Sequence, residues 1–366
     1  MKIANILFKP ITLPLKRPFK IALGTDFEYV GVVVQIETDV GDSEESGKGI
    51  TGLGESSPSA RITGETIGTV MEILNTKIKP VLIGKNPLQI EQIMDEIHSV
   101  ILHHPSAKCA IDIALHDILG KYANLPLYQL LGGYKDEIIT SITIGIKSIE
   151  ETIDEAQELL SAGAKVIKIK IGLEPQEDID KIKALREAIG YNVKIRVDAN
   201  QGYTATDAIK VINKIEQYEI EFVEQPLPYW DIQGLKRVKN KVGTRIMVDE
   251  SLHSTHDAIN LIRANACDMF NIKLMKAGGI MEAKKICSIA EGAGIPCMLG
   301  CMVETRIGVS AATHLALGMK NILYADLDGH ILLGADVCEG GVITTNGTNR
   351  VTNKTGLGVQ LTTNLF

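Results

Sequence analysis

KVIKIKIGLEPQEDIDKIKALREAIGYNVKIRVDAN, residues 165–200, reads as one strand, one helix and a second strand. KVIKIK is a short apolar, β-branched run that stops at Lys170, and QEDIDKIKALREAIG carries apolar residues at helical spacing. VKIRVD is again strand-like and stops at Asp198. The same step continues with Glu224 in FVEQPLP, Asp249 in MVDESLH, Lys273 in NIKLMKAGG and, one step skipped, Asp326 in YADLDG. The intervals, about 24 to 28 residues, are those of one strand plus one crossover helix. Strands are expected at 138–146, 165–170, 193–198, 221–224, 246–249, 268–273, 296–301 and 322–326. Helical stretches such as ATDAIKVINKIEQY, THDAINLIRANA and IMEAKKICSIAEGAG lie between them. Eight strands alternating with helices predict a parallel α/β barrel of (β/α)7β type, because the last helix is missing or irregular.

Outward from this core the pattern changes. Residues 1 to about 60 alternate like antiparallel strands, and DVGDSEESGKG (39–49) reads as an exposed hairpin tip. Residues 65–130 are helical, and SAKCAIDIALHDILGKYANLP is apolar or small on most sides, which predicts a buried helix. An α+β unit over 1–130 is expected, completed by the turn-rich, β-like residues at about 330–366. The barrel takes 131–329.

Apolar residues make up 45% of the chain and charged residues 23%, values of a globular protein. The net charge of −7, with scattered lysines, argues against nucleic acid or an anionic membrane as partner. The amino terminus is broken by Pro10, Pro14 and Pro18 and has no signal-peptide apolar core. No stretch approaches the ~20 apolar residues of a membrane span. A cytoplasmic location is expected, and a homo-oligomer. None of the six cysteines forms a C-x-x-C pair, so buried thiols are the reading.

In a βα barrel the residues at the carboxyl ends of the strands share one face. Lys170 then ends strand 2, Asp198 strand 3, Glu224 strand 4, Asp249 strand 5, Lys273 strand 6 and Asp326 strand 8. Strands 2 and 6 are four apart in the ring of eight, so the two lysines face each other across the mouth. The three carboxylates on adjacent strands match the hard, octahedral preference of Mg²⁺. A cation there stabilises charge developing on a carboxylate next to an ionising carbon. A lysine base needs a lowered pKa; Lys168, on the same face as Lys170, and the cation both push that way. Two lysines on opposite faces of one carbon can invert a stereocentre. Lys165 and Lys276 are read as structural.

The chain resembles the enolase superfamily, muconate-lactonising subgroup. The carriers are Lys168–Lys170 (K-x-K), Asp198–Asn200 (D-A-N), Glu224–Pro226 (E-Q-P), Asp249–Ser251 (D-E-S) and Asn271–Gly279. AIDIALHDILGKYANLPLYQLLGG is similar to the family's capping domain, so the resemblance spans the length. It implies Lys170 and Lys273 as acid/base catalysts, Asp198, Glu224 and Asp249 as Mg²⁺ ligands, and Lys168 beside the substrate carboxylate, tuning Lys170. Thr143, Cys301 and Val303 match positions lining the cleft. Asp326-Leu327-Asp328 resembles the D-x-D with which dipeptide epimerases hold a substrate ammonium. The resemblance thus implies a dipeptide as substrate, inverted at its C-terminal residue. Relatives acting on Ala-Glu carry an arginine in the capping loop; here Gly24, followed by Thr25, stands in its place. Asp26 and Glu28 would repel an acidic side chain, so apolar or aromatic dipeptides are expected. An L-Ala-D/L-Glu epimerase, a lyase of the muconate cycloisomerase or o-succinylbenzoate synthase kind, a Schiff-base aldolase and a non-catalytic binding protein are the alternatives.

Overall fold

The computed structural model describes residues 1–39, 49–362 and 364–366. The hairpin tip expected over 39–49 lies outside the described residues except for its two ends. Eight parallel strands run in ring order: Ile142–Ile144, Val166–Lys170, Lys194–Asp198, Ile220–Glu224, Ile246–Val248, Met269–Lys273, Cys297–Gly300 and Ile322–Asp326. A parallel bridge between Thr140 and Ala325 joins the eighth strand to the first, and Ser141 N donates to Ala325 O at 3.1 Å. The register sets Lys170 beside Asp198 and Asp198 beside Glu224, so the strand-end charges stand in a row. Between the strands lie amphipathic helices such as Ala205–Ile215, which buries Ala208, Val211, Ile212 and Ile215 at helical spacing.

The expected strand over 138–146 is two strands. Ile138–Ile139 pairs antiparallel with Thr348–Val351, and only Ile142–Ile144 enters the barrel. The change of partner occurs between Thr140, whose N–H donates to Gly347 O, and Ser141, whose N–H donates to Ala325 O. Side-chain alternation reports exposure, which both sheets share, and says nothing of which backbone is the partner.

The amino-terminal unit is an antiparallel sheet of Ile3–Ile21, Gly24–Thr38 and Thr51–Ser56, covered by helices that include Ile90–Val100 and Pro105–Tyr122. Ile90, Ile93, Met94 and Ile97 form one buried stripe at three- and four-residue spacing, each contributing roughly 1.5–3 kcal/mol by leaving water. Helix Pro105–Tyr122 is buried on nearly all sides, between this sheet and the barrel. Its Asp112 accepts from Ile280 N, and a Cβ on Gly279 would sit 2.4 Å from Asp112 Oδ2. Gly279 after strand 6 therefore serves a close approach of cap and barrel, while Gly278, with open space around it, takes the positive φ of the turn.

Glu55 makes the second joint. Its carboxylate accepts from Thr305 N (2.8 Å), Thr305 Oγ1 (2.6 Å) and Gly308 N (2.8 Å), at the start of helix Arg306–Gly318, and from Tyr29 OH. The negative charge suits a helix amino terminus. After the eighth strand comes only a short 3₁₀ turn, Gly329–Leu332, and then the pairs Cys338–Gly340 with Val359–Leu361 and Val342–Thr345 with Thr348–Val351. Asp117 ties this tail to the cap, accepting from both Leu53 N and Leu357 N. Among the described residues no helix is long and apolar enough to cross a membrane.

Candidate active site

The barrel mouth opens into a cavity of about 340 Å³ lined by Lys170, Lys273, Asp326 and Asp328 from the barrel and by two cap segments, residues 19–30 and 57–62. Asp198, Glu224 and Asp249 are buried at its floor, and one oxygen from each lies within 4.8 Å of the others. The chain turns sharply after these strands. Asn200 and Gln225 take positive φ, 38° and 34°, a conformation non-glycine residues seldom hold without surrounding support. Here Asn200 N donates to Asp198 Oδ1 (2.9 Å), and Gln225 Oε1 accepts from Asp249 N (2.8 Å) and Ser251 N (3.1 Å).

Three lysines pair with the acidic floor, two of them sharing Asp198. Lys170 Nζ is 2.6 Å from Asp198 Oδ2, and Lys273 Nζ is 2.9 Å from Asp249 Oδ2. Lys168 Nζ is central, at 3.0 Å from Asp198, 2.8 Å from Glu224 and 2.7 Å from Asp326. Burial alone would lower the pKa of Lys168 and of Lys273, but the facing carboxylates outweigh it and raise both. Three carboxylates face Lys168 directly, and Asp249 faces Lys273. Glu224, by burial and the nearby Asp198, is pushed up to about 8.

The donor set fits a divalent cation. Glu224 Oε2 and both Asp249 carboxylate oxygens are buried and face only lysine ammonium groups, Lys168 on Glu224 (2.8 Å) and Lys273 and Lys276 on Asp249 (2.9 and 2.6 Å). Hard carboxylate oxygens, one from each of three residues within 4.8 Å of one another, suit Mg²⁺. Glu224 Oε1 is meanwhile oriented by Asn271 Nδ2 at 2.7 Å.

Across the mouth, Asp326 Oδ1 accepts from Ser141 Oγ (2.6 Å) and Thr143 Oγ1 (3.3 Å), and Asp328 Oδ2 accepts from Thr143 N (2.7 Å). Burial favours protonation of Asp326, but Lys168 and Lys170 override it and hold the group well below the usual range. Burial and the Asp326 charge push Asp328 up to about 6. Cys301 and Val303 line the same cavity; the Cys301 thiol donates to Asp326 O at 3.3 Å and is kept protonated by burial.

Residues 4–132 match the family described as mandelate racemase / muconate lactonizing enzyme, N-terminal domain, and residues 151–365 match the enolase C-terminal domain-like family. The chain belongs to the mandelate racemase/muconate lactonizing enzyme family of the enolase superfamily. It is similar to the hydrophobic dipeptide epimerase of Enterococcus faecalis, 44% identical over 93% of this chain and 94% of that one. It is also similar to the L-Ala-D/L-Glu epimerase of Clostridium acetobutylicum, 39% identical over 98% and 99%. A crystal structure of the Enterococcus faecalis dipeptide epimerase, complexed with Mg and the dipeptide L-Leu-L-Tyr, superposes with a TM-score of 0.94 at 43% identity, covering 98% of this chain and 100% of that one.

In this member of the family the structure gathers the expected strand-end charges with Thr143, Lys168, Cys301, Val303 and Asp328, whereas Gly24 and Thr25 stand back from the cavity wall between Leu23 and Asp26, and it adds several residues that sequence reasoning missed. Lys276, read as structural, is fully buried behind the acidic floor. Its Nζ lies 2.6 Å from Asp249 Oδ1 and also donates to Leu252 O (3.1 Å) and Asn271 O (3.3 Å). Asn200 Nδ2 donates to Glu250 Oε1 at 3.1 Å, and Glu250 is pushed up to about 7 by burial and Asp249. The D-A-N and D-E-S motifs contain Asn200 and Glu250, so their place beside two acidic strand ends was the available signal. Arg61 had none. Gly24 is held at φ +149°, and a Cβ there would meet Arg61 Nη1 at 1.9 Å, while Nη1 donates to Leu23 O.

Proposed function

We propose that this chain is a Mg²⁺-dependent dipeptide epimerase that inverts the α-carbon of the C-terminal residue of its substrate. The observation that carries the proposal is the pair Lys170 and Lys273, ending strands four apart in an eight-stranded ring, on either side of a buried acidic triad. Asp198, Glu224 and Asp249 would hold the cation, which supplies positive charge to the substrate carboxylate and so acidifies the adjacent carbon.

One lysine removes the α-proton from its face of the substrate, and the other, charged, returns a proton from the opposite face. In the reverse direction their parts exchange. Lys168 lies beside the substrate carboxylate and biases Lys170 by its own charge. Asp326 and Asp328 take the amino-terminal ammonium, oriented by Ser141 and by Thr143. Cys301 and Val303 form part of the wall. The loop at Gly24 and Thr25 faces the side chain of the epimerised residue, in a cavity whose outer wall carries Phe19, Ile21, Leu23 and Ile62 together with Asp26 and Glu28. This supports apolar or aromatic dipeptides as substrates. Six unpaired cysteines support a reducing, cytoplasmic setting, and we propose a homo-oligomer there.

Incubation with Mg²⁺ and a panel of dipeptides in D₂O tests the proposal. The expected product carries one deuterium on the inverted α-carbon of the C-terminal residue. Absence of exchange across the panel refutes it, and loss of water or ring closure in place of exchange assigns a lyase.

A further inference from the structure

Arg61 occupies the space that a side chain at position 24 would fill. All three guanidinium atoms nearest Gly24 lie within 2.8 Å of the position a Cβ would take there, and φ at Gly24 is one that L side chains rarely adopt. The residue sits at the tip of a compact turn. Ser59 O accepts from Ile62 N (3.2 Å), Thr63 N (2.9 Å) and Gly64 N (2.9 Å), and Ser59 N donates to Thr63 Oγ1 (3.1 Å). One guanidinium nitrogen donates to Leu23 O. The base of the arginine and its head are thus both fixed, on two different cap segments.

Arg61 lines the main cavity beside Ile21, Leu23 and Ile62. Among the described residues no carboxylate lies within ion-pair distance of it, while Asp26 and Glu28 line the same cavity. A guanidinium is planar, weakly hydrated for a cation, and stacks on aromatic rings. The two acids offset its charge toward an incoming carboxylate, whereas an uncharged ring meets no such penalty.

We infer that Arg61 is a specificity-determining residue: its guanidinium, seated over Gly24, is the flat surface on which the aromatic side chain of the epimerised residue packs. The inference rests on the dipeptide-epimerase reading and names the substrate class within it, dipeptides with a C-terminal phenylalanine or tyrosine. Specificity is thereby carried by the second cap segment, and residue 24 contributes only the room.

The test measures kcat/KM of the Mg²⁺-loaded enzyme for L-Ala-L-Phe, L-Ala-L-Tyr, L-Ala-L-Leu and L-Ala-L-Glu, by α-deuterium exchange. The wild type is expected to prefer the two aromatic dipeptides. Arg61→Met should lower the aromatic-to-leucine ratio by about tenfold, the scale of a partly desolvated cation–π contact. Arg61→Lys, which keeps the charge and loses the plane, should lower it similarly, and circular dichroism of each variant checks that it is folded. An unchanged ratio in Arg61→Met, or a full ratio in Arg61→Lys, overturns the inference. So does a wild-type preference for L-Ala-L-Glu that Arg61→Met selectively removes, since that assigns Arg61 to a carboxylate. A wild type that exchanges no dipeptide at all refutes the epimerase reading itself, a separate result.

Discussion

Lys168 and Asp326 form a buried ion pair, Nζ to Oδ2 2.7 Å, that spans the first barrel strand from the second to the eighth. The pair keeps Asp326 anionic against the effect of its own burial, while Asp328 beside it is pushed up to about 6. The D-x-D pair thus offers one firm negative charge and one that a bound ammonium would help to ionise. Removing the firm charge should matter only to substrates with a free amino group. Asp326→Asn is expected to lower kcat/KM for a free dipeptide by about 10²-fold, the scale of truncating one member of a desolvated charge pair. The corresponding N-acetyl dipeptide, poor from the start, should lose much less. Equal losses on the two substrates would remove Asp326 from ammonium binding.

Mg²⁺ should stabilise the fold as well as permit turnover. A ligand that binds only the native state adds about 2.7 kcal/mol at a hundred times its Kd. Chelation is expected to abolish exchange and lower the melting temperature by a few degrees, and added Mg²⁺ to restore both. Asp249→Asn takes away the carboxylate that faces Lys273 and Lys276, so the variant is expected to melt lower than the wild type without Mg²⁺. In that variant the Mg²⁺-dependent rise in melting temperature should largely vanish. A rise equal to that of the wild type would exclude Asp249 from the ligand set.

The barrel was legible because a strand ends where its β-branched run meets a charged residue, and that event recurs from Lys170 to Asp326. Ring order then followed from chain order, which parallel crossovers enforce. What stayed hidden depends on contacts remote in sequence. The split of 138–146 between two sheets turns on residues 347–351, and Arg61 finds Gly24 only through the packing of two cap segments. Lys276 was hidden for a different reason. It lies in the short helix Leu274–Ala277, three residues past the strand end, where the period of two no longer tells which way a side chain points.

The two-lysine arrangement separates exchange from inversion. If each lysine serves one face of the α-carbon, removing either leaves the other able to exchange a proton on its own side. Lys170→Ala and Lys273→Ala should each lower epimerisation by at least about 10³-fold, within the range attributed to a positioned acid or base. In D₂O each variant should still label one stereoisomer of the dipeptide, and the two variants should label opposite ones. Labelling of the same stereoisomer by both would be incompatible with lysines on opposite faces.

Behind the wall formed by Cys301 and Val303, Glu304 donates a separate pH dependence. Its Oε1 accepts from Met302 N at 2.8 Å, its buried Oε2 has no hydrogen-bond partner, and burial with the neighbouring Glu55 charge pushes it up to about 8. An unfolded glutamate titrates near 4.5. Between these values the folded state retains a proton that the unfolded state has lost, so rising pH weakens folding across that window and adds nothing above it. Glu304→Gln keeps the shape and removes the titration. Its melting temperature, measured at saturating Mg²⁺ so that the acidic floor stays fixed, should gain on the wild type steadily from pH 5 to pH 8 and run parallel beyond. The gain is on the order of a few kcal/mol at the upper end. Parallel curves over the whole range would mean that Glu304 is ionised in the folded protein at every pH tested.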